Sequence, residues 1–215
     1  MARSAILDAA VDMIADKGMA ETSVAQIAER AGVSKSAVFY HFGNKAGLFD
    51  ALESQHAAAY AEEIERRLDG ASDELEALLD TFDSYFEFLG RDDRIVRTMT
   101  RLYLERVPSS EELRRLRTRI THVAERARQL GLIRSDVDPL VMIVAGFSLI
   151  EHWFLLRYLF EDAAKDRALD GEAYYDGVLK VLLGGLLPPG PSPSDDRVQK
   201  LLARRRARRS DQLPE

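Results

Sequence analysis

The sequence predicts an all-α fold, and three observations carry that prediction. Apolar residues recur at three- and four-residue spacing along almost the whole chain. No run shows the period-two alternation and β-branched enrichment of a strand, and glycine or proline follows the apolar runs where helices would end. With 215 residues, 46% of them apolar, and no cysteine, the chain can bury a core without disulfides or thiolate-bound zinc.

The first helix is expected over residues 3–17, with Ile6, Leu7, Ala10, Val11 and Ile14 as its apolar stripe and Gly18 closing it at positive φ. Two short helices and a longer one fill the span to Gly70. Ser72 or Asp73 can cap the next, which carries Leu75, Leu78, Leu79, Phe82, Tyr85, Phe86 and Leu89 and ends near Gly90. A helix over 94–106 is stopped by Pro108. The charged helix over 111–130 turns Leu113, Leu116, Ile120, Val123 and Ala127 inward and closes at Gly131. Asp138 and Pro139 supply an N-cap and first-turn pair for an apolar helix over 139–162, and the last strong helix covers 172–187. No fixed-period repeat relates these elements. Beyond them, 188–194 is rich in proline and reads as an extended linker, and 197–209 is a basic tail of the kind that is usually solvated. The expected division is a helix-turn-helix domain over 1–50, a helical ligand-binding and dimerisation domain over 51–187, and a disordered tail over 188–215.

Charge and hydropathy narrow the surroundings. The formal net charge of −6 excludes a surface that is basic throughout, so contact with a nucleic acid must come from a local patch. The run 140–160 has the length of a membrane span, yet Glu151, His152 and Arg157 interrupt it, at roughly 2.5–3.5 kcal/mol for each full charge near a bilayer centre. A buried helix is expected there, and no membrane partner. Arg3 and Asp8 leave the first ten residues without a continuous apolar run, so a cytoplasmic location is expected.

The densest information lies in residues 23–42. Ser23 and Gln26 have capping-box spacing, so a short helix starts at Val24 with Val24, Ile27, Ala28 and Ala31 inward. Gly32 can take positive φ, and Ser34 can cap a second short helix whose inward residues are Val38 and Phe42. Small Ala28 precedes the turn glycine by four residues, and Val38 follows Ala28 by ten, which is helix-turn-helix spacing. The outward positions Lys35, Ser36, Tyr40 and His41 can donate to phosphates or base edges, and none of them is acidic. Asn44 is a good N-cap, but Lys45 stands in the following first turn, where the helix dipole disfavours a cation. A phosphate at that terminus would reverse the penalty.

From Ala5 to Leu52 the sequence resembles the TetR family of bacterial transcriptional regulators. The resemblance rests on Gly18, Thr22-Ser23, Ile27-Ala28, Ala31-Gly32-Val33-Ser34, Phe39-Tyr40-His41-Phe42, Asn44-Lys45 and Leu48-Phe49. It implies a homodimer that places two recognition helices in successive major grooves of a palindromic double-stranded operator, with a larger helical domain that binds a small molecule. No HExxH, GxxxxGK or GxSxG motif occurs, and neither His122 nor His152 has an acidic residue three positions before it, so no enzyme, cofactor or metal is expected. Base-facing positions correspond to Lys35 and Ser36, and phosphate contacts to Phe39, Tyr40, His41, Lys45, Ser23 and Val24. Two positions depart from the family: Ala37 often carries a hydroxyl there, and Phe39 is commonly Tyr. Ala37 is left with a thymine methyl as its natural contact.

For the effector, the polar and aromatic groups embedded in apolar helices are the candidates: Arg101, Tyr103, His122, Phe147, Ser148, Glu151, His152 and Phe154. Glu151 and His152 stand out because their burial would otherwise be costly. The apolar helix over 139–162 and the last helix, with Gly177, Gly184 and Gly185, suit a four-helix interface between two copies. The expected regulator is a repressor released by a small, largely apolar effector. As alternatives stand a ferritin-like metal enzyme, for which Glu53 and His56 supply one of two required pairs, and a helical interaction module without DNA binding.

Overall fold

The computed structural model of the chain describes residues 2–105, 111–160, 170–186 and 203, and among them there is no strand. The described residues include, in order, the α-helices α1 Ala2–Glu21, α2 Val24–Arg30, α3 Lys35–Phe42, α4 Lys45–Gly70, α5 Glu74–Arg91, α6 Asp93–Glu105, α7 Glu111–Gln129, α8 Pro139–Leu156 and α9 Gly171–Leu186. The Pro108 stop, the linker and all but one residue of the basic tail lie outside the described residues.

The expected stripe of α1 is buried, and Gly18 takes φ 84° as foreseen. The helix does not end there, however. Helical structure resumes to Glu21 because Met19 is drawn back into the core and the displaced carbonyls find partners: the Thr22 hydroxyl donates to Gly18 O at 2.7 Å, and Lys45 Nζ to Met19 O at 2.7 Å. Asp73, not Ser72, caps α5, accepting from the Leu75 and Glu76 N–H groups at 2.9 and 3.1 Å. Ser72 turns to Glu76 instead, whose carboxylate accepts from the Ser72 N–H at 2.9 Å. Asp138 caps α8 as expected, with Pro139 in the first turn.

A first core joins α1, α2, α3 and the start of α4, and it draws Leu102 of α6 into the same cluster, with Ile95 and Met99 against it. A second joins α5, α8 and α9, and a third joins α4, α5 and α7 with Met142 and Ile143 of α8. α6 is therefore the element that packs on the N-terminal helices while also touching α8.

Two expectations about α8 are corrected. Its α-helical part stops at Leu156 and tightens into a 3₁₀ turn, Arg157–Phe160, rather than running on to 162. Nor is it buried on all sides: only 28% of its apolar window is enclosed, and Leu140, Val141, Val144 and Leu149 face outward. By length and composition it is the one helix among the described residues that could cross a membrane. Where α8 meets α5, Gly146 permits a close approach, since a Cβ there would lie 2.3 Å from Phe82 Cε1. In α9, Tyr175 is fully buried, stacks on Phe86 with ring centroids 4.4 Å apart, and donates its hydroxyl to buried Asp83 at 2.7 Å.

Candidate nucleic-acid interface and effector site

The two short helices are set by their own sequence. The Ser23 hydroxyl accepts from the Gln26 N–H at 3.3 Å, and the Gln26 side-chain Oε1 accepts from the Ser23 N–H at 3.0 Å, which closes the capping box. Gly32 sits at φ 67°, a conformation that strains any residue with a Cβ. It lets the Val33 N–H reach back to Ala28 O at 3.0 Å. The Ser34 hydroxyl then accepts from the Ala37 N–H at 3.2 Å and starts α3. Val38, 1% exposed, locks α3 against buried Ala28 and Ile27, so the opposite side of α3 has to face outward.

On that outer side Lys35, Ser36, Phe39, Tyr40 and His41 are all exposed, Tyr40 at 86%. Lys35 Nζ lies 5.7 Å from the centre of the Phe39 ring, and His41 meets the Tyr40 ring edge-on at 5.2 Å. A charged, hydrogen-bonding and apolar surface with no acidic member is thus held on a rigid rod of eight residues. Ala37 is half-buried beside it. At the entry to α2, Ser23 is exposed and the Val24 side chain is buried, so Val24 could offer only its backbone.

Lys45 has an explanation that the sequence did not suggest. Its ammonium is bound to the Met19 carbonyl, at the C-terminal end of α1, and lies 5.6 Å from the Phe49 ring centre. The unfavourable position in the first turn of α4 is therefore offset by the negative end of another helix, without a phosphate. In that same turn Gly47 lies under the Phe42 carbonyl, which a Cβ would approach to 2.2 Å.

The effector candidates do not all converge. The Arg101 guanidinium donates to Ile14 O and so belongs to the α1–α6 contact. His122 is exposed on α7. His152 is exposed as well, donating through Nδ1 to the Ser148 carbonyl at 2.7 Å, so the burial cost that singled it out does not arise. Phe154 is core, tilted against Phe86 at 5.4 Å. Phe147 and Glu151 stand one turn apart on α8 with half-buried Ser148 between them, and Tyr103, 38% exposed, is close enough to feel the Glu151 charge.

Around them stand three residues that the sequence reading missed. Tyr85 packs edge-on against Phe147 at 4.8 Å and against Tyr60 at 5.3 Å, and the Thr100 hydroxyl donates to Glu151 Oε1 at 3.2 Å. A polar-tipped aromatic at a core position was the available signal. Burial pushes the Tyr60 and Tyr85 phenols well above their ordinary range, and the Glu151 charge adds to this. Tyr103 is pushed up to about 12 by burial of its phenol, with Glu53 and Glu151 contributing. All three phenols therefore stay protonated at neutral pH.

Between α1, α2 and α6 lies an open cleft of about 750 Å³. In it Asp12 accepts from Arg30 of α2 at 2.6 Å and from Arg94 of α6. These guanidiniums, the Arg30 hydrogen bond foremost, hold the Asp12 carboxyl below its usual range against the opposing effect of burial.

Residues 6–52 match the family model described as bacterial regulatory proteins, tetR family. Over 53 residues the chain is 47% identical to the uncharacterized HTH-type transcriptional regulator YvkB of Bacillus subtilis, which covers 25% of this chain and 28% of that one. The chain spans well under two thirds of the length of such curated relatives. In fold it is similar to the ketosteroid transcriptional regulator KstR2 of Mycobacterium tuberculosis, with a TM-score of 0.67 and 19% identity over 87% of this chain and 96% of that one. It is similar also to SmeT, the repressor of the Stenotrophomonas maltophilia multidrug efflux pump SmeDEF, with a TM-score of 0.61 and 24% identity over 89% and 96%. SmeT has been solved in complex with triclosan.

Proposed function

From a chain that belongs, through its residues 6–52, to the TetR family of bacterial regulatory proteins, we infer a cytoplasmic, homodimeric transcriptional regulator that represses by binding a palindromic operator and is released by a small-molecule effector. The observation that carries this reading is the outer face of α3, where Lys35, Ser36, Phe39, Tyr40 and His41 are exposed on a helix braced from behind by Val38. Lys35 and Ser36 would read base edges, and Tyr40 and His41, with Phe39 and Ala37 beside them, would seat on sugar, phosphate and thymine methyl groups. Ser23 and the Val24 backbone stand at the entry of α2, and Lys45 would reach a phosphate only by leaving Met19.

The division of labour is residues 1–50 for DNA and 51–187 for effector and dimer. The outward apolar residues of α8, with Val181 of α9, support a four-helix interface between two copies. Gly177, Gly184 and Gly185 support it too, because none of the described residues lies within 4 Å of where their Cβ atoms would be. The cluster of Tyr103, Phe147 and Glu151 with Tyr60 and Tyr85 is the effector site. A shift of the long α4, or of α6 through its grip on α1, would change the distance between the two recognition helices, which must stay about 34–36 Å apart to meet half-sites one turn apart. Reversing a 99:1 population needs an effector that prefers one state by about 5.5 kcal/mol. Selection of duplexes from a random pool by the full chain tests this reading: an enriched palindrome is expected, and failure to enrich any sequence would overturn it.

A further inference from the structure

We propose that the effector carries a positive charge on an aromatic or bulky apolar body, and that Glu151 holds the charge while Tyr60, Tyr85, Tyr103 and Phe147 hold the body. This rests on the effector site proposed above and names the chemistry it takes. Glu151 is the one acidic residue of α8, Pro139–Leu156, and it stands half-buried on a helix that is otherwise almost wholly apolar. Shielding a carboxylate from water on an apolar helix favours a cationic partner for it. Its hydrogen-bond partner is the neutral Thr100 hydroxyl, and it has no ion-pair partner among the described residues.

Arg97 and Arg101 of α6 and Arg157 after α8 are engaged elsewhere: Arg101 with the Ile14 carbonyl, Arg97 with Asp93 at 2.9 Å, and Arg157 with Asp93 at 3.5 Å. One turn before Glu151 on α8 stands Phe147, the start of an aromatic series. Tyr60, Tyr85 and Phe147 pack edge to ring in series, and the Tyr60 ring also meets Phe88 at 5.3 Å. The three phenols remain neutral, so the rings bring no charge of their own and present their electron-rich faces beside the Glu151 carboxyl. Both features attract a cation and oppose an anion. A carboxylate or phosphate ligand would meet the Glu151 carboxyl, to which no guanidinium is ion-paired among the described residues. An alkyl or aryl ammonium would supply the missing partner, and would draw Glu151 from Thr100, the residue next to Arg101 on α6.

The test uses two isosteric probes with the full chain, read by calorimetry in the absence of DNA: biphenylmethyl-trimethylammonium and its neutral counterpart in which a tert-butyl group replaces the trimethylammonium. The expected result is binding of the cation at least about tenfold tighter than of the neutral probe. Glu151→Gln is expected to abolish that preference, and Tyr85→Leu to weaken the cation while Tyr85→Phe keeps it. Equal affinity for the two probes, binding of neither, or a preference that survives Glu151→Gln would each overturn the proposal. Circular dichroism of each variant confirms that it is folded. Binding of the cation without any change in operator affinity would leave this inference standing and remove ligand-responsive regulation from the proposed function.

Discussion

Lys35 and Tyr40 stand on the same exposed face of α3 but are asked to do different things. Lys35, near the start of the helix with its ammonium near the Phe39 ring, is placed to read a base. Lys35→Ala is expected to cost about 1–3 kcal/mol against one base pair in each half-site and little against the others, as measured by binding to single-substituted operators. Uniform loss across sequences would assign it to the phosphates. Lys45→Ala should act more broadly, since it frees the Met19 carbonyl as well as removing a charge. Thermal unfolding should therefore fall along with DNA affinity.

His56 gives a pH signature of a different kind. Its Nε2 is buried without a hydrogen-bond partner, and burial holds its pKa below the usual 6.5 against the pull of Asp92 and Asp8. A base whose folded pKa is depressed contributes stability that is complete above the unfolded value. That contribution is lost as pH falls from about 6.5 toward the folded value, because the unfolded chain takes up the proton first. His56→Leu should flatten denaturation midpoints between about pH 7 and pH 5 relative to the parent protein. Parallel curves would show that the imidazole does not titrate on unfolding.

Among the elements, α6 holds α1 along one side through Arg94 to Asp12, Thr98 to the Val11 carbonyl at 3.1 Å and Arg101 to the Ile14 carbonyl. Asp12 also holds Arg30, so α2 and α6 share one carboxylate. Its lowered pKa means that the contribution is present above the ordinary carboxylate range and is lost as pH falls through the folded value. Because both guanidiniums are about half exposed, Asp12→Asn should cost no more than about 1 kcal/mol of stability. Its larger expected effect is on the response of DNA binding to effector, measured as the ratio of operator affinities with and without it. An unchanged ratio would remove Asp12 from the coupling. Packing between α5 and α8 is stricter: Gly146→Ala drives a methyl into the Phe82 ring and should destabilise by about 1–3 kcal/mol in denaturant titration.

The legibility of these elements in the sequence follows from the range of the forces that set them. Ser23, Gln26, Gly32, Ser34 and Asn44 act on backbone groups two to five residues away, so the capped helices and the turn between them could be read in order from the chain. The convergence of Tyr60, Tyr85, Thr100 and Glu151 depends on how α4, α5, α6 and α8 cross, which no local pattern encodes. The need for glycine at 146 arises from Phe82 on another helix, 64 residues earlier in the chain, and so has no local signature. The apolar neighbours of His152 in sequence predict burial, whereas α8 keeps an outward face and His152 lies there.

At the scale of the whole molecule, that outward face sets the expected assembly. Val141 and Val144 are 63% and 56% exposed on α8, and enclosing either against a second copy is worth about 1.5–3 kcal/mol. Paired Val141→Asp and Val144→Asp substitutions should leave a folded protomer that sediments as a monomer and binds a palindrome no better than a half-site. A dimer that persists would move the interface elsewhere.

The central claim is that the outer face of α3 meets the DNA. It is tested most directly by the affinity for the selected palindrome across a salt series, with the parent protein compared to a Lys35→Ala, Tyr40→Ala, His41→Ala triple variant. Affinity should fall steeply with salt, at a logarithmic slope of about −0.9 for each phosphate contacted, and the variant should bind weakly with a shallower slope. Equal affinity and equal slope in the two proteins would contradict it.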